Sequence, residues 1–300
     1  MALLALTSSQ LDAARSTFSS KFDTIFDARP DPQYNAITER DTYGSEGYIP
    51  FWMGGVGSGS VWNIGNGRTL ASVAEYGIRF VGNLYENSIL LPKIQLADSP
   101  AVKAAKAAEK MAQSAIIHET KNAFAILSSN STGFDGAALF GTHAYSSAQG
   151  APSYSNDLVT GTGNPVWYLC NGSSLTIVDR EGEGYTPQFY GGENTDVDFN
   201  KDSVALGWRA RKIFAPGFWA NTVRSDAPLN SANLHAARNL LATFKNDKGD
   251  LLADSIPTHL VAPRGLEAAA DLLLKAQQIS ATTNIDQNRF QLIVTDYLPG

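Results

Sequence analysis

Near the start of the chain, hydrophobic positions recur every three or four residues, which predicts an amphipathic helix over residues 7–27. Thr7 and Gln10 have the spacing of a capping box at its start. Pro30 and Pro32 end the helix and impose an extended course. Two interpretations stay open, namely a helix packed on its own body and an arm that reaches a neighbouring molecule. The repeating apolar positions are Leu11, Ala14, Phe18, Phe22 and Ile25.

The clearest element is a long, alanine-rich helix over residues 99–128. Ser99 can cap it, and Pro100 suits the first helical position. At about 1.5 Å per residue, such a helix is roughly 45 Å long. Its small apolar face predicts close packing against a sheet. That stripe comprises Ala105, Ala108, Ala112, Ala115, Ile116, Ala123 and Leu127.

Between these helices, residues 43–67 form a ribbon that combines eight glycines with five large aromatic side chains. Glycine loses much entropy on ordering, and large aromatics contribute stability only where something covers them. The residues after the ribbon alternate like strands, so we interpret the ribbon as one arm of a long hairpin. The candidate buried positions after it are Ile78, Phe80, Val81, Leu84, Ile89 and Leu91.

Beyond the long helix, residues 131–165 are rich in Ser, Gly and Asn and predict a long surface excursion. Strand patterns follow, and later two helices bracket a further strand. The arrangement is α+β, without an internal repeat. The predicted strands cover residues 166–170, 174–178, 187–191, 203–223, 257–263 and 290–298, and the helices cover residues 230–247 and 264–278.

Composition narrows the class of protein. The chain has 300 residues, 43% of them hydrophobic and 17% charged, which is typical of a globular protein with one elaborate domain or two lobes. No apolar run approaches the length of a membrane span. The single cysteine, Cys170, suits a reducing compartment. A net charge of −6 without a basic run argues against a protein that grips nucleic acid.

No pattern predicts catalytic, cofactor-binding or metal-binding residues. GGVGSGS lacks the lysine of a phosphate-binding loop. Cys170 has no histidine at a spacing that predicts a nucleophile, so a buried structural cysteine is the preferred interpretation. Asp196, Asp198, Asn200 and Asp202 have the spacing of a calcium loop. However, Lys201 and Gly207 stand where such a loop needs glycine and glutamate.

Several stretches together resemble the major head subunit of Mu-like phages and prophages. They comprise the N-terminal helix with QYN, YGSEGYIP with its ribbon ending at Gly67–Arg68–Thr69, AEYGIRFVGNLYEN, FDGAALFGTHAY, VWYLC, DVDFNKDSVALGWRARKIFAPGFWANTV, PTHLVAPRGLEAAADLLL and FQLIVTDYL. The resemblance covers most of residues 8–298. The chain departs from the family in ILLPKIQLADSP, where an Asp-rich turn is usual, and at Ala144, where proline usually follows the histidine.

The resemblance implies a Hong Kong 97-like major capsid fold. Mapped onto this chain, the N-terminal arm is 1–40 and the extended loop is 41–72. The peripheral domain is 73–150 with a spine helix over about 99–128, and the axial domain is 151–300 with strands that return to the peripheral domain. The intersubunit contacts that we expect are Phe18, Phe22, Tyr43, Tyr48, Phe51, Trp52, Trp62 and Arg68.

The implied function is a self-assembling major capsid protein that forms hexamers and pentamers of an icosahedral head around double-stranded DNA. It implies no enzyme activity, no cofactor and no membrane partner. The implied partners are copies of the chain, a portal, a scaffold and a decoration protein, with assembly in the host bacterial cytoplasm. Two alternatives stay open: an encapsulin-like nanocompartment shell, and a monomeric ligand-binding module that uses the aromatic ribbon.

Overall fold

The computed structural model describes residues 6–44, 47–50, 52–53, 75–144, 152–191, 202–252, 256–279 and 281–300. The helices are α1 Ser8–Asp27, α2 Lys93–Asp98, α3 Pro100–Ser129, α4 Ser231–Leu241 and α5 Glu267–Lys275. The strands are β1 Thr38–Tyr43, β2 Trp52–Met53, β3 Glu75–Tyr76, β4 Asn83–Pro92, β5 Thr142–Ala144, β6 Ser153–Ser155, β7 Asp157–Leu158, β8 Trp167–Cys170, β9 Leu175–Arg180, β10 Thr186–Tyr190, β11 Ser203–Pro216, β12 Thr222–Ser225, β13 His259–Pro263, β14 Gln278–Ile279, β15 Thr282–Thr283 and β16 Gln291–Thr295. Short 3-10 turns occupy Gln33–Ile37, Trp219–Asn221 and Arg264–Leu266.

One sheet lies against α1 and α3, and we call it the helix-backed sheet. Its centre is β11, which pairs antiparallel with β4 on one side and with β10 and β9 on the other. β1 adds in parallel to β9. Alternate residues of β11, from Val204 to Ala210, are buried in one cluster with α1 and α3. Period-two alternation in this strand thus directs one face towards the helices.

Helix α1 packs along α3. The capping box predicted at Thr7 and Gln10 is present, with the Thr7 hydroxyl accepting from the Gln10 amide. Phe18 and Phe22 are fully buried between α1, α3 and the helix-backed sheet. Of the two interpretations of this helix, the structure shows the one in which it packs on its own body.

Helix α3 spans 30 residues with Pro100 at its first turn, as predicted. The expected Ser99 cap is wrong, because its hydroxyl donates to the Asp98 carbonyl and caps no helix amide. The predicted apolar stripe is confirmed except at Ala105 and Ile116, which are only half-buried because the buried face is centred one position away. The buried positions are Ala104, Ala107, Ala108, Met111, Ala112, Ala115, Glu119, Ala123, Phe124, Ile126 and Leu127.

The second sheet, which we call the C-terminal sheet, has the strand order β16-β13-β8-β12-β7. β13 runs parallel to β16 and antiparallel to β8. Helices α4 and α5 contribute Leu234, Leu241 and Leu274 to the core cluster that includes β8 and β13. The strand predictions in this half are confirmed except over residues 203–223, where the one predicted strand is two, β11 and β12, which a turn at Trp219–Asn221 sends into different sheets. β9, β10 and β11 return from this half of the chain to the helix-backed sheet.

Two further sequence expectations are wrong. Val81 and Leu84 are candidate buried positions, yet they are 62% and 68% exposed. Val81 precedes β4, and Leu84 lies on the face of β4 that points away from the helices. The stretch 131–165 is also more than a surface excursion. His143 stacks on Trp219 with ring centroids 4.6 Å apart, and the buried Asn156 amide donates to the carbonyl of Leu139. No helix in the described ranges is long and apolar enough to cross a membrane.

Candidate functional site: the hairpin stem and its anchor

The ribbon leaves and re-enters the described structure through a two-stranded stem. Tyr48 pairs with Phe80, Trp52 with Tyr76 and Met53 with Glu75, all antiparallel and in one continuous register. The Tyr48 and Phe80 backbones exchange two hydrogen bonds of 2.8 Å. The predicted long hairpin is therefore confirmed at its base. Its outer part, residues 54–74, lies outside the described residues.

At the base of the stem, Tyr43 closes a small core. It is buried with Val178, Ile213 and Ala215, and the half-buried Tyr48 packs against this cluster. Partial burial, followed by the hydrogen bond and charge of Asp41, raises the pKa of Tyr48 to about 12. The Tyr43 hydroxyl is buried and has no hydrogen-bond partner among the described residues. Both tyrosines thus anchor the stem to β9 and β11.

A buried charge cluster fixes the chain that leads into this stem. Glu119 is fully buried on α3, and its two carboxylate oxygens accept from Arg29 at 2.9 Å and Arg40 at 2.8 Å. Arg29 follows α1 and Arg40 lies in β1, so the connection between them is fastened to α3 at both ends. Lys212 Nζ lies 3.6 Å from Glu119 and forms a second ion pair with Asp179 on β9.

The protonation of Glu119 follows from its neighbours. Burial by itself would raise the pKa of this carboxyl group. The positive charges of Lys212, Arg40 and Arg29 outweigh that effect and hold the pKa below its ordinary value. Sequence reasoning missed this cluster. The signal was available, because Glu119 continues the spacing of Ala108, Ala112 and Ala115 on the buried face.

The structure places the expected intersubunit contact residues in different environments. Phe18, Phe22 and Tyr43 are already covered by their own chain, so no neighbour is needed to cover them. The Trp52 backbone lies in the stem. Phe51, Trp62 and Arg68 lie outside the described residues.

Three of the exposed apolar side chains in the described part of the chain lie on the other face of the helix-backed sheet. Leu84 and Leu90 of β4 are 68% and 46% exposed, and Tyr190 of β10 is 53% exposed. The registers β4–β11 and β10–β11 place Leu90 and Tyr190 on either side of Ala205, so these side chains share one face. We call Leu84, Leu90 and Tyr190 the open face.

Cys170 is fully buried, as predicted, and burial raises the pKa of its thiol to about 11. His259 lies opposite it in the β8–β13 register, a proximity that sequence spacing did not reveal. Its ring nitrogens bond to Thr258 and Gln291, whereas the thiol contacts the Thr222 hydroxyl at 3.4 Å. Cys170 and His259 therefore do not form a nucleophile–base pair, and we interpret Cys170 as a structural cysteine. The remaining histidines pair with other groups: His118 with Tyr185, His143 with Asp135 and His235 with Asp286.

The weak calcium pattern lies mostly outside the described residues, since Asp202 is its only described acid. Within the part of the chain that the structure describes, no three His, Cys, Asp or Glu side chains come together to hold a metal ion.

Comparison with known proteins identifies the family. The family model described as the Mu-like prophage major head subunit gpT matches residues 11–298. The chain belongs to this family. This Mu-like head subunit is 25% identical over 280 residues to the major capsid protein of Escherichia phage Mu, which is 88% of each chain.

Solved structures agree with the fold. The procapsid of bacteriophage JBD30 matches with a TM-score of 0.76 at 21% identity, covering 98% of this chain and 100% of that one. The JBD30 capsid matches with a TM-score of 0.75 at 16% identity, covering 91% and 92%. The Mu-like head subunit therefore has the α+β, Hong Kong 97-like capsid fold that the resemblance implies, and it is a major capsid protein of a tailed-phage head. The family match decides against the nanocompartment and ligand-binding alternatives.

Proposed function

We propose that this head subunit assembles into the hexamers and pentamers of an icosahedral shell, with the aromatic ribbon as its intersubunit clamp. The observation that supports the proposal is the register of the stem, whose two anchored strands flank the glycine-rich residues 54–74 in the sequence. Because glycine tolerates backbone conformations that other residues avoid, a glycine-rich sequence on an anchored stem would let identical chains meet slightly different neighbours in hexamers and pentamers. Phe51, Trp52, Trp62 and Arg68 are the contact residues in this proposal.

The domain assignment is part of the same proposal. Residues 1–40 form the arm and 41–72 the extended loop. In this assignment, the helix-backed sheet and α3 form the peripheral domain, and the C-terminal sheet with α4 and α5 forms the axial domain. The open face supplies additional apolar contact area, because exposed apolar side chains grouped on one surface favour protein contacts.

The proposed role is structural and involves no catalysis. The buried Cys170 thiol, whose pKa is raised to about 11, is protonated at neutral pH and is a poor nucleophile. The proposed partners are further copies of the chain, a portal, a scaffold and the enclosed DNA, with assembly in the bacterial cytoplasm. A decoration protein is included because the JBD30 capsid structure contains minor capsid protein trimers.

Deleting Gly54–Gly65 tests the clamp. We expect folded subunits that fail to close shells, or shells that open at lower temperature, as seen by electron microscopy and heating. A second variant, Phe51→Ser with Trp62→Ser, keeps the ribbon length and removes two aromatics. The matched control, Leu251→Ser with Ile256→Ser, removes exposed apolar side chains elsewhere. Normal yield and heat resistance in both ribbon variants contradict the clamp.

A further inference from the structure

Four exposed lysines of α3 form a row. Lys103, Lys106, Lys110 and Lys121 are all solvent-exposed. At about 100° per residue they lie within an arc of roughly 60°, and they extend over roughly 27 Å of the helix. Uncharged residues and Glu109 separate the first three in sequence, and residues 111–120 separate Lys110 from Lys121, so no basic run is visible there; only the helical period brings the four together. We call these four residues the lysine row.

The lysine row is not ion-paired: the exposed Glu109 lies three residues from Lys106, yet no described ion pair joins it to the row. Among the described residues, no acidic side chain lies within ion-pair distance of these lysines. Glu119, on the same helix, is buried and engaged on the opposite side. By contrast, Lys275 on α5 is paired with Asp271 at 2.6 Å.

This placement costs helix stability. Lys103 and Lys106 are three residues apart and Lys106 and Lys110 four apart, so like charges are neighbours on the surface. Lys103 also lies at the first turn of α3, where the helix dipole favours anions, and that turn has no acidic residue. A solvated surface helix has no need for such an arrangement. An external anion that lies along the row offsets both costs.

We propose that the lysine row binds the phosphate backbone of duplex DNA, and that α3 therefore faces the interior of the head. This inference rests on the proposed function, because it needs a shell that encloses DNA. Lysine is a flexible point charge, and the row offers neither arginine forks nor aromatic side chains for base recognition. Binding of this kind does not depend on the DNA sequence, and its affinity falls as the salt concentration rises.

The net charge of −6 is compatible with this role. Four phosphate contacts per subunit give weak, reversible binding, while the remaining surface limits wider adhesion of the DNA. A duplex carries one charge per about 1.7 Å of its axis, so a row of about 27 Å always lies near several phosphates. An acidic protein segment is the competing polyanion, and the test separates the two.

The test compares two full-length triple variants of equal charge. Lys103→Gln, Lys106→Gln and Lys110→Gln remove three members of the row. The matched control, Lys245→Gln, Lys248→Gln and Lys275→Gln, removes three exposed lysines elsewhere. Binding of a fluorescent, mixed-sequence duplex to unassembled subunits is measured by anisotropy at several salt concentrations. Poly-glutamate of similar length is the second probe.

We expect the row variant to lower the salt slope of log K by about 2.7, since each phosphate contact contributes about 0.9, and the control to leave it unchanged. Thermal unfolding of the row variant should occur at the wild-type temperature or above, because repulsion is relieved. An unchanged slope, equal losses in both variants, or preferential binding of poly-glutamate overturns the proposal. Electron microscopy of the wild type tests shell formation separately, so failure to assemble is distinguished from failure to bind DNA.

Discussion

Glu119 Oε2 and Arg29 Nη1 lie 2.9 Å apart, although 90 residues separate them in the chain. The other carboxylate oxygen of Glu119 accepts from Arg40, on the far side of the connection between α1 and β1. One buried carboxylate thus fastens the end of the first helix and the strand that leads to the hairpin stem. The position of the chain that leads into the stem therefore depends on charges in the subunit interior.

Replacing Glu119 with Gln should destabilise the subunit strongly. The change leaves Lys212, which is 2% exposed, and two partly buried arginines without their shared counter-charge. Breaking a buried ion pair from one side costs about 3–5 kcal/mol. We expect a loss near 3 kcal/mol in chemical unfolding of unassembled subunits, because the arginines can reach water. Glu109→Gln, on the exposed side of the same helix, is the control and should change stability by less than about 0.5 kcal/mol.

The same carboxylate predicts a dependence of stability on pH. The pKa of Glu119 in the folded chain lies below its ordinary value of 4.5. Its contribution is therefore complete above that value and is lost as the pH falls through the lowered folded pKa. We expect the stability difference between wild type and Glu119→Gln to be constant from pH 7 to 5 and to shrink in more acidic solution. The other carboxylates titrate in both proteins, so their contributions cancel in the difference in unfolding free energy. A difference that stays constant down to pH 2 contradicts the assignment.

Gly207 sits where β4 and β11 approach closely. A Cβ added there would collide with the Asn87 carbonyl oxygen and lie 2.6 Å from Ser88 Oγ. Because one obstacle is backbone, Gly207→Ala must force β4 away from β11, and we expect a loss of about 2 kcal/mol or more. Gly184→Ala is the control, since nothing lies within 4 Å of its added Cβ. Thermal unfolding of the two variants measures the contrast, and equal melting temperatures rule the close contact out.

The spacing of hydrophobic positions and the helix-capping residues made much of the fold predictable from the sequence. The Thr7 capping box, the long helix from Pro100 and the buried strand at residues 259–263 all follow from local pattern. Local pattern does not say which strands meet. Leu84 looks like a core residue until the sheet is known to have an open face. Glu119 looks like an ordinary helix glutamate until distant cations converge on it, because long-range pairing leaves no short-range signal.

Substitutions at Tyr43 distinguish its effect on the stability of the free subunit from its effect on the stability of the assembled shell. Its hydroxyl is buried against Gly82, so closely that a Cβ there would collide with it, and it has no hydrogen-bond partner among the described residues. A buried, unpaired hydroxyl costs about 1–3 kcal/mol. Tyr43→Phe should therefore stabilise unassembled subunits by about 1 kcal/mol, measured by chemical unfolding, whereas Tyr43→Ala should destabilise them by removing the ring from its cluster.

In assembled shells the two possible roles of Tyr43 give opposite results. If its contacts are internal, Tyr43→Phe shells withstand heating at least as well as wild type, because each subunit is more stable. If the hydroxyl bonds to a neighbouring subunit on assembly, the variant shells open at lower temperature even though the free subunits are more stable. Heating shells and subunits of both variants side by side measures the sign of each effect. Burial of the ring in its own chain leads us to expect the first result.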